Sequence, residues 1–524
     1  MNNLNSAIQA WRATLSKEQV AESGNILKDS NSTTYLDNGN YEAVLFPKDT
    51  EEVSKCLQIA NQYEVAIYTV SKGKNFGLGS KLSVAGDHVL MDLSKMNTIT
   101  DFSEELAYIT VQPGVTFEQV ASYLRSRDSS LIMDSIGSTG EASIIGNVAE
   151  RGHGVALQSD RFSYCCGMEI VLPSGEIIHT GFEGLKHNEV GPLAKWGLGP
   201  SLDGLFTQSN FGVITKLTLW LQPAPKQFQI VMFQIKDDNN LKSVIKKTRT
   251  MMFNKLSFSL RIFNDYRMVS FTKQYPWQQM SGKTPLSQDI FSDMKDDLNL
   301  KGKWIGLGAL YSINEKFAEA EQSYIADELK PYVEQINFYD QKYADEIKST
   351  GTDQEKDFID FIYNFSSLRG FTSERALNMC YWRMKDPIPE EKDLHRDGCG
   401  VLWYCPLIPN RPEDVEAAVK IIEDTSLKYK LEPNIGFLFI SERVLDITGA
   451  ICFDKTNTEE DKNAKACHDE IIKTMSEAGY PMYRLGVRSM HMTQQLKDNN
   501  MALNKALKHL LDPKNIFNRD RYVS

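Results

Sequence analysis

Cysteine is scarce in this chain: eight in 524 residues, at positions 56, 165, 166, 380, 399, 405, 452 and 467. That density excludes a disulfide scaffold, and without a Cys-x-x-Cys pair there is no thioredoxin-type or zinc-ribbon signature. Cys399 and Cys405 come nearest to ligand spacing, but five residues separate them and no paired histidine follows, so they read as buried thiols. A basic excess is also missing: 58 Lys plus Arg against 69 Asp plus Glu leave a formal charge of −11. Such a balance argues against a surface that neutralises nucleic-acid or anionic-membrane phosphates. No apolar run reaches the roughly 20 residues that span a bilayer. The opening segment Met1–Trp11 has neither a basic stretch nor an apolar core of the signal-peptide kind. The expectation is a cytoplasmic protein with reduced cysteines and no nucleic-acid or membrane partner.

Several chemical signatures are absent too. Neither Gly73 nor Gly77 opens a Gly-x-x-x-x-Gly-Lys-Ser/Thr phosphate loop. Gly77-Leu-Gly79 and Gly197-Leu-Gly199 both lack the third glycine of a Gly-x-Gly-x-x-Gly dinucleotide fingerprint. No Gly-x-Ser-x-Gly nucleophile elbow occurs, and the histidines show no metal-ligand spacing, so hydrolase and metal readings lack support and no metal site is expected.

What is present has globular proportions, with 41% hydrophobic and 24% charged residues, and a length that suits two to four domains at about 150 residues each. An amphipathic helix opens the chain through Ala7, Ile8, Trp11 and Leu15. Strands and helices then alternate: Tyr41–Phe46, a helix from about Thr50 as its cap, Ala66–Val70, Val89–Leu93, Ala107–Val111 and a helix after Pro113. Between Ile144 and Pro223 glycines punctuate short apolar strands, a texture that brings backbone close to something else. Leu221-Gln-Pro-Ala-Pro-Lys226 marks a boundary. Beyond it an α+β texture follows, with strands at Phe228–Phe233, Trp304–Tyr311 and Thr448–Phe453. Helices are expected at Glu315–Leu329, Pro412–Lys428 and Asp461–Glu477, and an exposed loop or short helix over Tyr339–Asp357.

The loop Ser71-Lys72-Gly73-Lys74-Asn75-Phe76-Gly77-Leu78-Gly79 lies between strands and offers successive backbone N–H groups plus the Lys72, Lys74 and Asn75 side chains, the donor set of an anion nest. Together with Phe46-Pro47, Val111-Gln-Pro-Gly-Val115, Gly146-Asn-Val-Ala-Glu-Arg-Gly152, Gly167-Met-Glu-Ile-Val-Leu-Pro-Ser-Gly175, Ser209-Asn-Phe-Gly-Val-Ile-Thr215, Tyr483-Arg484 and Leu511-Asp-Pro, it resembles the vanillyl-alcohol oxidase and 4-cresol dehydrogenase family of FAD enzymes. The likeness extends over nearly the whole chain.

The resemblance implies an α+β, two-domain FAD-binding fold: an FAD domain of two subdomains over residues 1–225, a substrate or cap domain over 226–480, and a carboxy-terminal segment, 481–524, returning to the FAD domain. It implies FAD on the loop Ser71–Gly79 and on Gly146, Asn147, Glu150, Arg151, Gly152, Gly212, Ile214 and Thr215. Asp160 corresponds to an acid beside the flavin, and Tyr483 with Arg484 to a pair that binds a phenolate oxygen. His153, between two glycines, is a further catalytic candidate.

Two departures stand out. Leu78 occupies the place where members acting on 4-alkylphenols carry a third phenol-binding tyrosine, and the stretch Gly398–Pro406 has no histidine to tether a flavin. Noncovalent FAD is therefore expected, with a link through Tyr404 or His395 left open and Leu78 and Tyr404 assigned to the substrate pocket. The reaction implied is hydride removal from a small aromatic or otherwise activated alcohol, amine or alkyl carbon, with O2 or an electron-carrier protein reoxidising the flavin in a homo-oligomer. Two alternatives remain: a 2-hydroxy-acid dehydrogenase with Arg484 on the carboxylate, and a flavin-fold binding protein without redox turnover.

Overall fold

Three large sheets and two two-stranded ones organise the chain in the computed structural model, which describes residues 3–280, 284–364, 366–495 and 499–524. The opening helix Asn3–Thr14 buries Leu4, Ala7, Ile8 and Trp11, an apolar stripe at helical spacing that packs with helix Thr50–Tyr63. Trp11 Nε1 donates to the Cys56 carbonyl at 3.1 Å. That second helix is capped one residue earlier than expected, by Asp49, which accepts the Glu52 N–H at 2.8 Å. Thr50 is its first helical residue, and its hydroxyl donates to Glu169 at 2.6 Å.

The first sheet orders Val20–Ala21, Ala43–Leu45, Val89–Asp92 and Ile67–Val70, the last three parallel. Ile67–Val70 is its edge, and an open edge invites foreign pairing. The carboxy-terminal tail covers it: Ile67 N–H donates to Ile516 O at 2.8 Å, Asn518 N–H to Ile67 O at 3.0 Å, and Thr69 N–H to Asn518 Oδ1 at 2.7 Å. Farther along the tail, Arg521 pairs with Glu150 at 2.6 Å. The chain's end therefore closes onto the amino-terminal sheets.

The second sheet is antiparallel, in the order Ile99–Ser103, Tyr108–Val111, Val213–Trp220, Cys165–Val171 and Ile177–His179. Glu169 ties it to the first unit by accepting from Thr50, and is held within its own sheet by Thr215 Oγ1 at 2.8 Å and Lys216 Nζ at 2.8 Å.

Between Pro223 and Gln227 the chain leaves these sheets and enters a seven-stranded antiparallel one. Its order is Gln335–Tyr339, Gln227–Ile235, Trp304–Ser312, Phe258–Asn264, Gly436–Phe439, Val444–Ile447 and Leu407–Pro409. Helices Asp238–Phe253, Glu315–Leu329 and Pro412–Lys428 share a core cluster with one face of this sheet. Its other face is free to line a cavity. The polar stretch after Tyr339 forms two helices, Gln341–Thr350 and Asp353–Ile359. The apolar run from Val401 to Pro409 splits into strands Cys399–Tyr404 and Leu407–Pro409, which lie in different sheets. No described helix is long and apolar enough to cross a membrane.

Candidate functional site

A cavity of about 430 Å³ runs between the amino-terminal glycine loops and the cap sheet, within the size range of cofactor and ligand sites. Its amino-terminal wall is made largely of backbone and small side chains. Ser71, Lys72, Gly73, Lys74, Asn75, Phe76 and Leu78 line it from the loop after strand Ile67–Val70, and Gly146, Asn147, Glu150, Gly212 and Ile214 from the second unit. Gly77 (φ +75°) lies behind the loop, where a Cβ would collide with Trp403. Gly79 is likewise not on the wall, since a Cβ there would meet Val487. Gly146 faces Ser71 so closely that no side chain fits between them. Asn75 Oδ1 and Ser209 Oγ are buried on this wall without a partner. Buried polar atoms are ordinarily hydrogen-bonded, so unspent acceptors and donors beside a glycine cradle fit an extended, polar cofactor such as FAD.

Three further residues assigned to the cofactor lie off the wall. Arg151 is exposed and turned away, its Nε donating to Thr207 Oγ1 at 2.9 Å and its Nη2 to Gly204 O at 3.3 Å. Gly152 packs on Asn147, and the Thr215 hydroxyl is engaged by Glu169 inside the sheet. Glu150 is on the wall but holds the tail, accepting from Arg521 at 2.6 Å and from the Tyr522 hydroxyl at 2.8 Å.

The opposite wall carries the ionisable groups. Residues in register across antiparallel strands present side chains to one face, and here one such row crosses all seven strands: Asn337, Met232, Leu307, Arg261, Leu438, Asp446 and Leu407. Leu307, Arg261, Leu438 and Asp446 of this row line the cavity. Asp446 is fully buried, with its Oδ2 3.3 Å from His153 Nδ1 and its Oδ1 unpartnered. The His153 ring stacks on Tyr483, with centroids 4.5 Å apart and planes 22° from parallel. The structure therefore brings His153, Tyr483 and Arg484 to one end of the cavity and adds Asp446 to them.

Electrostatics sets the roles of these groups. Burial drives the Tyr483 phenol well above its usual range despite the opposing pull of Arg484, so Tyr483 remains a neutral donor. Burial disfavours the Arg484 charge, but Tyr483, Cys405 and Glu150 outweigh it and push that guanidinium upward. Arg484 is permanently cationic, and its Nε has no partner. A fixed cation beside a neutral hydroxyl donor is suited to hold an oxyanion.

Asp160 is placed elsewhere. Its backbone bridges to His153, but its carboxylate accepts from the Ser163 hydroxyl and does not line the cavity. Tyr404 is also off the wall, for a reason of parity. Side chains alternate along strand Cys399–Tyr404. Trp403 lines the cavity, as does Cys405 just beyond the strand, whereas Tyr404 enters the cap core and donates to Asn434 O at 2.9 Å. His395 is behind the loop, its Nε2 3.2 Å from Ser80 Oγ and its ring 5.5 Å from Phe76. Burial lowers its pKa.

The sequence reading missed Asp446, Arg261 and Arg267. The first two are single charges inside apolar strands, Val444-Leu-Asp-Ile447 and Phe258-Ser-Leu-Arg-Ile-Phe263, and a lone charge on a strand's covered face is the available signal. Among the described residues no cluster suited to a metal ion is found.

Residues 41–181 match the FAD binding domain family, and residues 448–522 the C-terminal domain of FAD linked oxidases. The chain is 34% identical to 1'-carboxy-chondrochloren decarboxylase of Chondromyces crocatus, over 99% of this chain and 97% of that protein. It is 27% identical to the 4-cresol dehydrogenase [hydroxylating] flavoprotein subunit of Pseudomonas putida, over 98% and 94% respectively. The solved structure of p-cresol methylhydroxylase with substrate bound superposes with a TM-score of 0.87 at 26% identity, covering 99% of this chain and 96% of that one. The chain belongs to the vanillyl-alcohol oxidase and 4-cresol dehydrogenase family of FAD-linked oxidoreductases.

Proposed function

We propose that the protein oxidises a phenol at the carbon of its para substituent. The observation that carries this reading is the half-buried pair Tyr483–Arg484 on the cavity wall, a neutral donor and a fixed cation at the same end of the cavity as a carboxylate–imidazole pair. The loop Ser71–Leu78 with Gly146, Asn147, Gly212 and Ile214 would hold FAD, which would supply a two-electron hydride acceptor. Tyr483 and Arg484 bind the phenol oxygen and stabilise it as phenolate, which raises electron density at the para carbon. His153 and Asp446 take up the proton that the phenol or an added nucleophile releases, the histidine held by its stacking on Tyr483. A noncovalently held cofactor is supported by Tyr404 being committed to Asn434 and by His395 lying off the wall.

Leu78 on the wall in place of a third hydroxyl donor widens the pocket's apolar side. The names of the cresol dehydrogenase and the methylhydroxylase point to a phenolic substrate here too. Full-length likeness to a decarboxylase favours a second outcome at the same site, in which a substrate carboxyl leaves as CO2 after the oxidation. O2 or an electron-carrier protein reoxidises the flavin. Likeness to D-lactate dehydrogenases covers only about 42% of the chain or less, which places the 2-hydroxy-acid reading second to the phenol. The test is anaerobic mixing of flavin-loaded protein with 4-ethylphenol or with D-lactate. Bleaching of the visible flavin band by the phenol alone is expected, and bleaching by lactate alone overturns the reading.

A further inference from the structure

The cap wall holds two more cations than the phenol chemistry uses, Arg267 buried and Arg261 half-buried. Arg261 sits in the middle of the seven-stranded sheet, paired in register with Leu307 on one side and Leu438 on the other. All three line the cavity. Its Nη2 has no partner, and among the described residues it makes no ion pair. The one acid of the same row, Asp446, is two strands away, about 10 Å at ordinary strand spacing, and is already beside His153. Asp134, in the amino-terminal unit and not on the cavity wall, attracts Arg261, but its carboxylate accepts from the Val155 and Ala156 N–H groups at 2.9 and 3.0 Å.

Arg267 comes from helix Asp265–Thr272, which Asn264 starts by accepting the Arg267 N–H at 3.1 Å. Its Nη1 donates to the Thr448 carbonyl, and its Nε is unpartnered. The guanidinium lies 5.1 Å from the Phe263 ring centroid and 5.7 Å from Trp403. Burial pushes both arginines down to about 10, with neighbouring charges only partly offsetting it, so each stays charged at neutral pH. A cation held out of water without a carboxylate partner is costly, and a ligand carboxylate in the cavity would supply the missing partner.

We infer that Arg261 and Arg267 form an anion subsite in the cap that takes a carboxylate on the substrate's side chain, while Tyr483 and Arg484 hold the phenol oxygen. This rests on the reading of the cavity as a phenol-oxidising site and narrows its substrates to phenols bearing an acidic side chain. Guanidinium groups suit carboxylates because their N–H donors match both oxygens.

The test uses holoenzyme reduced with dithionite, which accepts no further electrons, so calorimetry reads binding alone. The probes are 3-(4-hydroxyphenyl)propionate, 4-propylphenol and 3-phenylpropionate. The hydroxyphenylpropionate is expected to bind about tenfold or more tighter than 4-propylphenol, the worth of a charge-assisted hydrogen bond. Arg261→Met removes that advantage and changes 4-propylphenol less than about twofold, and Arg261→Lys restores part of it. Equal wild-type affinities for the two phenols overturn the subsite, as does an advantage that survives both Arg261→Met and Arg267→Met. The wild-type comparison decides even if a variant fails to fold. Failure of the phenol reading looks different: 3-phenylpropionate then binds as tightly as its hydroxylated analogue and still loses affinity in Arg261→Met, leaving the subsite standing.

Discussion

The two walls of the cavity are built on opposite principles. The amino-terminal wall presents loops, glycines and N–H groups, with Gly146 pressed against Ser71 and Gly77 against Trp403. The cap wall presents side chains from a regular sheet, one charge per apolar strand, at Arg261 and Asp446. Backbone recognises a shared group whatever the side chains around it; a sheet face sets specificity one residue at a time. One wall can thus serve a whole family's cofactor while the other determines what is oxidised.

Substitutions on the cap side sharpen this contrast most. Arg484→Met removes the fixed cation at the phenol oxygen and is expected to lower kcat for a phenol by roughly 10²–10³, the effect of losing one oxyanion donor, with flavin content unchanged. Stopped-flow reduction of the loaded protein measures it. Asp446→Asn keeps shape and hydrogen bonding to His153 but removes the proton acceptor, and a loss of about 10² follows. The pH profile of reduction should flatten in that variant; a wild-type profile would place the proton transfer elsewhere.

Asp160→Asn is the control that can break the account. Because the Asp160 carboxylate serves Ser163 and not the cavity, reduction rates are expected to stay within about twofold, inside the usual spread for surface changes. A loss as large as that of Asp446→Asn would move the chemistry back to the amino-terminal wall.

The smallest effect concerns the scaffold. Burial raises the Glu169 carboxyl, but hydrogen bonds from Lys216, Thr50 and Thr215 prevail and hold it below the usual glutamate range. A folded-state value below the unfolded one gives stability that is complete above about pH 4.3 and lost as pH falls through the folded value. Glu169→Gln should cost roughly 1–3 kcal/mol at neutral pH, and urea titrations of the two proteins should converge as pH falls through the lowered folded-state value.

How far the sequence could be read follows the same division. Helices Glu315–Leu329 and Pro412–Lys428 form where periodicity places them, because their apolar stripes meet a sheet that needs covering. The loop from Ser71 to Leu78 was legible through its glycines, whose backbone demands show in residue type. Tyr404 was not, since a strand's two faces differ by one residue of register, and only pairing with Gly449–Asp454 decides which faces the cavity. Asp446 and Arg261 reach one row only through the pairing of three strands, which no local pattern contains. Asp160 shows the converse: a motif residue whose neighbour His153 reaches the site while its own side chain turns to a local hydroxyl.

The most direct measurement is a structure of the flavin-loaded protein with 4-ethylphenol bound under anaerobic conditions. The account predicts the phenol oxygen within hydrogen-bonding reach of Tyr483 and Arg484, with the flavin against the loop Ser71–Leu78. A phenol bound with its oxygen away from that pair, or a flavin covalently tied to the cap, would contradict it.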